Sequence, residues 1–413
     1  MFWEIPQNWR LKKLEVMNNI RNRNTKPSAG PRPNRGPRQA QKKKESTLDP
    51  NLLIKKAKPT GQKGFQSKTS FASLNIAKGV LKNLEAKGYV NMTNIQEQSI
   101  EALLQGRDLL GISNTGSGKT SAFLIPIIEH ALQDPRQFTA LIVTPTRELA
   151  LQIEEEFKSL SKGMNLHSAT FIGGTNINTD MKMLGRKLHV IVGTPGRLLD
   201  LHDRRLLKLN QVKTLVLDEF DRMLDMGFVN DVKKLVGAMS QRQQTMLFSA
   251  TLEASQKNLI NSLLDNPVEV KINSGVTTNE NIEQGIIRVP EGKDKFIMLE
   301  DLFKDRALEK VIIFTETKRL ADRLSKKLNQ AGVKSGLIHG NKSQNFRNKT
   351  IEQFKSGETR VLVATDVAAR GIDVADVSHV INYQLPMTMD SYIHRIGRTG
   401  RAGKTGHAIT FVN

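Results

Sequence analysis

Ten consecutive residues carry the plainest chemistry in the chain: Gly111-Ile112-Ser113-Asn114-Thr115-Gly116-Ser117-Gly118-Lys119-Thr120. They match a phosphate-binding loop in the Gly-Lys-Thr ending, with Ser113 where the first glycine often stands. Glycines such as Gly116 and Gly118 let backbone N–H groups curl around phosphate oxygens, and a helix N-terminus adds partial positive charge. Thr115 and Ser117 complete the loop, Lys119 is placed to reach the β- and γ-phosphates, and the Thr120 hydroxyl to help hold Mg²⁺. A plain glycine turn is the alternative, and the invariant-type lysine after a strand and before a helix argues against it.

A second element supplies negative charge. Leu215-Val216-Leu217-Asp218-Glu219 is an apolar strand ending in adjacent carboxylates. At that position Asp218 can face Mg²⁺ and Glu219 can orient or deprotonate an attacking water. Acidic pairs at strand ends are common, and this one gains meaning from the phosphate loop upstream.

Chemistry of this kind needs strands to deliver it. Short apolar runs occur at 108–112, 140–143, 190–192, 214–217 and 245–248, separated by helical stretches. After a polar stretch, Lys271 to Asn281, the rhythm restarts at 311–314, 336–338, 361–363, 380–383 and 408–412. Near-continuous apolar strands alternating with helices predict an α/β fold with parallel sheets covered on both faces. The expected division is a basic N-terminal extension over 1–68, a first domain over 69–272, a linker over 273–282 and a second domain over 283–413.

Composition narrows the class. A chain of 413 residues predicts two or three domains. No cysteine is present, which excludes disulfides, cysteine-ligated zinc and thiol catalysis. No apolar run is long enough to cross a bilayer, so no membrane partner is expected. The net charge is +21, and residues 1–68 carry 17 Lys/Arg against 4 Asp/Glu. A polyanionic partner is the natural reading, with a solubilising tail as the alternative. The Arg-, Pro- and Asn-rich stretch from about Arg21 to Lys68 is expected to be disordered, because it offers too little apolar surface to offset chain entropy. A cytoplasmic setting is expected, with a mitochondrial one as the alternative on the basic, acid-poor start.

Further motifs follow in one order: Asn94-Ile95-Gln96, Pro145-Thr146-Arg147-Glu148-Leu149-Ala150, Gly173-Gly174, Thr194-Pro195-Gly196-Arg197, Asp218-Glu219-Phe220-Asp221 and Ser249-Ala250-Thr251. Beyond the linker come Ile313-Phe314, Gln344–Arg347, Arg370-Gly371-Ile372-Asp373 and His394-Arg395-Ile396-Gly397-Arg398-Thr399-Gly400-Arg401. In this series, from about Phe71 onward, the chain resembles the DEAD-box RNA helicases. Each string is short, but their order across two domains is highly specific.

The resemblance implies two tandem RecA-like domains and an RNA-dependent ATPase acting as a monomer on ATP and Mg²⁺. It implies that Gln96 reads the adenine edge, with Phe71 stacked on the ring, and that Gly371 and Asp373 contact the nucleotide from the second domain. Arg398 and Arg401 would be arginine fingers, completing the site only on domain closure. His394 would link motifs across the cleft, and Asp221, Ser249 and Thr251 would couple ATP turnover to strand separation. RNA contacts are implied for Pro145, Thr146, Arg147, Gly174, Thr194, Gly196, Arg197, Arg347, Thr365 and Asp366. Backbone amides, hydroxyls and arginines of this kind suit phosphate and sugar oxygens, and an aromatic content of 5% argues against a base-stacking platform. Ribonucleoprotein or ribosome-assembly partners fit the same resemblance. Two other readings are an ATP-gated RNA clamp or scaffold with little turnover, and a DNA translocase on the same core.

The chain departs from the family pattern at three places. Phe220 stands where alanine is usual, so the strand end is expected to make room near Ser249–Thr251. Met92-Thr93-Asn94-Ile95 stands where prolines are frequent, which implies a less rigid loop. A helix that often follows the last strand is not in the sequence, so the second domain is expected to leave an apolar face open.

Overall fold

The structure is a computed structural model that describes residues 46, 48–57, 66–113, 116–135, 139–252, 256–272, 281–369, 374, 376–400 and 404–412. Chain order begins with a small antiparallel pair, β1 (Gln66–Ser70) and β2 (Asn91–Thr93). Seven strands then build the first lobe: β3 (Leu109–Ile112), β4 (Ala140–Val143), β5 (Ser168–Phe171), β6 (Val190–Gly193), β7 (Thr214–Leu217), β8 (Gln244–Ser249) and β9 (Val268–Lys271). They lie in the order β5-β6-β4-β7-β8-β3-β9, parallel throughout.

Six strands build the second lobe: β10 (Ile282–Arg288), β11 (Val311–Thr315), β12 (Ser335–Ile338), β13 (Val361–Thr365), β14 (His379–Asn382) and β15 (Gly406–Val412). Their order is β10-β15-β14-β11-β13-β12, again parallel. Every apolar run picked out in the sequence is a strand here. β5, β9 and β10 escaped that reading because Ser168-Ala-Thr-Phe, Val268-Glu-Val-Lys and Ile282-Glu-Gln-Gly mix polar residues into sheet-edge positions. The second lobe also starts one residue earlier than expected, with Ile282 in β10.

Why the strands read as unbroken apolar runs is visible in the cores. Ala140 and Ile142 face one apolar cluster, while Leu141 and Val143 face another on the opposite side of the sheet. Val311 and Ile313 against Ile312 and Phe314 repeat the arrangement in the second lobe. Side chains alternate across a strand, so a sheet clothed on both faces needs apolar residues at every position.

The N-terminal segment corrects one expectation. The reading of residues 1–68 as one disordered extension is overturned at residues 48–57, while residues 1–45, 47 and 58–65 lie outside the described residues. Pro50–Leu53 instead form a 3-10 turn on the second lobe, with the Asp49 side chain accepting from Asn51 N at 2.9 Å. Leu53 is fully buried with Ile282, Tyr392, Ile396 and Ala408, a burial contributing roughly 2 kcal/mol. Leu48-Asp49-Pro50-Asn51-Leu52-Leu53 is a capped apolar patch inside a basic stretch, and averaging the composition over the whole stretch conceals it. The same contacts cover part of the apolar face that was expected to stand open.

One buried histidine makes the second lobe acid-sensitive. The His379 and His407 rings stack at 4.8 Å, and burial, then the charge of His407, hold the His379 imidazole down at about 4. Its unfolded value is near 6.5, so the unfolded chain takes up the proton first. Stability is therefore complete above about pH 6.5 and falls as pH drops towards 4, by up to about 3 kcal/mol. Denaturant midpoints measured across that window should fall for the wild type and fall less for His379→Gln.

Candidate active site

The phosphate loop runs from β3 into the helix Lys119–Gln133. Ser113 N donates to Ser249 O at 3.0 Å, and the Ser113 and Ser117 hydroxyls share a 2.9 Å bond, which ties the loop to β8 and to itself. Gly118 caps the helix at φ 94°, a left-handed conformation that favours glycine. A Cβ there would lie 2.6 Å from Gln96 Nε2 and 2.8 Å from Thr93 Oγ1. Lys119 is buried, and its Nζ donates to Ser113 O at 2.8 Å, so the ammonium lies folded across the loop. Gly116 is exposed at φ 83°, and Thr120 is half-buried at the helix start. Thr115 lies outside the described residues.

Gln96 is held in place by the chain itself. Its Oε1 accepts from Thr93 N at 2.8 Å, and its Nε2 donates to Gly118 O at 3.0 Å. The loop thought to lack proline rigidity is thus fastened by a capping box at the start of Asn94–Leu104. Phe71 is 3% exposed and belongs to the first-lobe core. Its ring is a core ring here, so adenine stacking finds no support in this arrangement.

At the end of β7 the carboxylates part ways. Asp218 is fully enclosed, and burial pushes its carboxyl up to about 6, against the opposing pull of the Lys119 ammonium. Glu219 sits in the left-handed region at φ 53° and ψ 50°, a strained backbone for a residue with a side chain. Its carboxylate accepts from Arg222 NH1 at 2.8 Å, a buried pair one helical turn apart. Arg222 went unnoticed in the sequence, although the i,i+3 spacing is the available signal.

Asp221 fastens the two strand ends together. Its Oδ2 accepts from Ala250 N at 3.3 Å, and from Thr251 N and Thr251 Oγ1, each at 3.2 Å. The Ser249 hydroxyl accepts from Asp221 N at 3.3 Å and donates to Thr251 O at 2.7 Å. Phe220 is fully buried in the apolar cluster that holds Leu217, Met223 and Leu247. Room for the large ring is therefore found in the core, and the bonds between Asp221 and the Ser249–Thr251 turn are intact.

The motif arginines differ in how far they are committed. Arg197 donates from Nε to Asp180 at 2.8 Å, from NH1 to Asp200 at 3.3 Å and from NH2 to Thr175 O at 3.1 Å. All three guanidinium nitrogens are engaged within the first lobe, so an RNA role for this side chain gains no support. Thr194 caps the helix Pro195–Asp203, and Gly196 beside it is exposed with open space at its Cβ position, where a backbone can be approached closely. Pro145 is buried, and Thr146 caps Arg147–Leu160 by accepting from Leu149 N at 3.3 Å. Gly174 has φ 83°, and a Cβ on it would stand 2.5 Å from Arg147 NH1, so a side chain would collide with that guanidinium.

Arg147 reaches across to the second lobe, where its NH1 donates to Gln344 Oε1 at 3.5 Å. Arg347 NH2 donates to Glu148 at 2.7 Å, and Gln344 Nε2 to the same carboxylate at 3.3 Å. The Arg347 guanidinium and the Gln344 amide thus converge on one carboxylate between the lobes, Arg147 holds the same glutamine, and the buried Arg347 Nε has no partner among the described residues. Burial, then the Arg347 charge, lowers the pKa of Arg147, against the opposing pull of Glu148. Glu148 and Gln344 had been quoted only as motif letters.

Around β13 and the helix Met389–Ile396, Arg395 forks onto both Asp366 oxygens at 2.6 and 2.7 Å and lies over the Phe314 ring. Asp366 is therefore spent on a partner the sequence reading had not assigned. Thr365 ends β13 and is buried. His394, Arg395 and Arg398 line one small cavity with Phe314, Asp366, Ala369 and Ser391, and Arg398 is 5% exposed. Gly371, Asp373 and Arg401 lie outside the described residues.

Comparisons with known proteins point to one family. The DEAD/DEAH box helicase family model matches residues 93–259, and the helicase conserved C-terminal domain model matches 294–403. ATP-dependent RNA helicase CshA of Listeria monocytogenes is 42% identical over 344 residues, covering 83% of this chain and 66% of that protein. DEAD-box ATP-dependent RNA helicase CshA of Geobacillus kaustophilus is also 42% identical, covering 83% and 73%. The chain spans about two thirds of the length of the curated relatives it matches. Among solved structures, S. cerevisiae Dbp5 bound to RNA and ADP BeF3 aligns with TM-score 0.74 at 33% identity, covering 84% of this chain and 90% of that one. Mss116p bound to ssRNA and AMP-PNP aligns with TM-score 0.75 at 31% identity, covering 84% and 75%. With this level of identity and the motifs in place on both lobes, the chain belongs to the DEAD-box helicase family.

Proposed function

We propose that this protein is an ATP-dependent RNA helicase that hydrolyses ATP to ADP and phosphate and locally unwinds short RNA duplexes or remodels RNA–protein complexes. The observation that carries the reading is the contact between the lobes. Arg147 and Glu148 of one meet Gln344 and Arg347 of the other, with one guanidinium N–H buried and unpaired. An RNA phosphate laid across that seam would relieve the surplus positive charge and bind only when both lobes are together. Ligands that prefer the closed arrangement shift the lobes towards it, which is how ATP and RNA come to favour each other's binding.

In the nucleotide site, Gly116, Ser117 and Gly118 would cradle the phosphates and Lys119 would swing from Ser113 O onto the β- and γ-phosphates. Gln96 would exchange its bonds to Thr93 and Gly118 for the adenine edge. Asp218, a buried carboxyl at the end of β7 raised to about 6 by burial, and Thr120, a half-buried hydroxyl at the start of the phosphate-loop helix, have the oxygen donors that would hold Mg²⁺. When bound, that ion would offset the charge of the β- and γ-phosphates. No trio of His, Asp, Glu or Cys converges among the described residues, so further ligands would come from nucleotide and water. Glu219 would turn from Arg222 to orient the attacking water, while Arg398 and Arg401 would approach the γ-phosphate on closure.

Multiple-turnover ATPase with and without single-stranded RNA, run beside unwinding of a short RNA duplex, tests the proposal. Strong RNA stimulation with strand release supports it. The buried Glu219–Arg222 pair favours a second reading, a clamp that turns over slowly, and strand-independent RNA retention with negligible turnover would select that one.

The Asp221 bonds carry their own expectation. Thr251→Val keeps the side chain's shape and deletes one donor to a buried carboxylate. Strand release per ATP should fall about tenfold, while ATPase changes by less than about threefold. Equal losses in both assays would show that the turn serves hydrolysis itself.

A further inference from the structure

The N-terminal segment does more than cover an apolar patch. It is fixed to the second lobe at four points spread over ten residues. Ser46 Oγ donates to Pro386 O at 2.6 Å, and Arg288 NH2 donates to Asn51 Oδ1 at 3.0 Å. Leu53 is fully buried, and Lys55 and Gln284 exchange backbone bonds, Lys55 N to Gln284 O at 3.0 Å and Gln284 N to Lys55 O at 2.7 Å. This last pair adds one antiparallel bridge to β10, which is the sheet edge.

What lies beneath the segment matters as much. Tyr392 donates its hydroxyl to Gln284 Oε1 at 3.0 Å, and Tyr392 and Ile396 share the Leu53 cluster. Both belong to the helix Met389–Ile396, which also carries Arg395 and leads directly into Arg398. Towards the C-terminus, the chain runs from Lys55 to β1 in eleven residues. β1 pairs with β2, and β2 ends at Thr93, whose N–H and hydroxyl adjoin Gln96 and Gly118 of the phosphate-loop support. The segment is therefore a second covalent crossing between the lobes, beside the 273–280 connection. Its reach is at most about 40 Å at full extension.

We infer that residues 48–57, together with Ser46, form a positioning strap. Docked on β10 and on the helix that delivers Arg398, the strap holds that helix in register and keeps the second lobe close to the phosphate loop. A tether raises the effective concentration of one lobe at the other, and a docked tether removes chain entropy from the closing step. Leu53 and Lys55 act through Tyr392, Ile396 and Gln284 and touch no substrate. The inference rests on the proposed function, since it assigns the strap a part in RNA-stimulated turnover.

The test uses the full chain and two kinds of variant. Leu53→Asp places a charge in the apolar cluster. Lys55→Pro removes the N–H that Gln284 O accepts, at an exposed position where the core is untouched. Amide exchange reads docking without any reference to activity, and steady-state ATPase over a range of RNA and ATP concentrations reads the consequence. In the wild type and in Leu53→Met, the Gln284 amide, which donates to Lys55 O, should exchange at least about tenfold more slowly than an open amide, and both variants should lose that protection. Their kcat/KM for RNA should fall by about fivefold or more, with KM for ATP within about twofold of wild type. Leu53→Met should match wild type in both readouts.

An unprotected Gln284 amide in the wild type overturns the inference. So does lost protection in Lys55→Pro with unchanged or higher kcat/KM for RNA. A protected strap on a wild-type protein that RNA fails to stimulate removes its role in turnover and, separately, defeats the helicase reading.

Discussion

Replacing Lys119 with alanine is expected to reduce RNA-stimulated ATP turnover by on the order of a thousandfold. The side chain is buried at the start of the helix and bonded to Ser113 O, ready to exchange that acceptor for phosphate oxygens. Alanine removes the ammonium folded across the loop, and it also removes the cation whose pull partly offsets the burial of Asp218. The Asp218 carboxyl then rises further above its present value of about 6, so at neutral pH it binds a divalent ion less readily. Both losses act on the same phosphates and should not be additive. Phosphate release by the variant at saturating ATP and RNA, with an unchanged far-ultraviolet circular dichroism spectrum, checks the expectation. Turnover within tenfold of wild type would move the nucleotide away from this loop.

Arg398→Ala should cost nearly as much and in a different way. The phosphate loop belongs to the first lobe and Arg398 to the second, so ATP binding to the first lobe should change by less than about threefold while kcat falls on the order of a thousandfold. A guanidinium is planar and always charged, and an ammonium on a flexible stem does not reproduce its paired donors. Arg398→Lys should therefore remain at least about a hundredfold impaired. Fluorescent-nucleotide binding measured beside single-turnover hydrolysis separates the two effects. Equal losses in nucleotide affinity and rate would place Arg398 in ground-state binding.

Lys119 was legible in the sequence because it stands in a glycine-rich turn after an apolar strand, whereas Arg398 was named only through the family resemblance. Burial on both faces makes such strands conspicuous, and chemistry that collects at their C-terminal ends is conspicuous with them. Edge strands such as Val268–Lys271 and Ile282–Arg288 carry no such mark, since only part of their surface is covered. Partnerships were harder still. Nothing in the order of letters says that Arg222 holds Glu219, that Arg395 takes Asp366, or that Arg197 is consumed by Asp180 and Asp200. Those pairs are set by which loops the sheet order makes neighbours. Leu53 was missed for the opposite reason: its local signal, a capped turn of apolar residues, was diluted by the charge around it.

The Phe220 substitution shows the limits of reasoning from side-chain size alone. A ring in place of a methyl group at a strand end suggested displaced neighbours. The helical turn Phe220–Asp225 instead directs residue 220 into the core and leaves residue 221 facing the Ser249–Thr251 turn. Size is absorbed where the packing is apolar, and the polar contacts are unaffected.

The central claim is that hydrolysis requires groups from both lobes at one phosphate. A crystal structure of the full chain with a non-hydrolysable ATP analogue and single-stranded RNA tests it most directly. The account predicts the Arg398 guanidinium within about 3 Å of a γ-phosphate oxygen held by Lys119. With both ligands bound, a γ-phosphate surrounded by first-lobe groups alone, and Arg398 still enclosed in its own lobe, would contradict it.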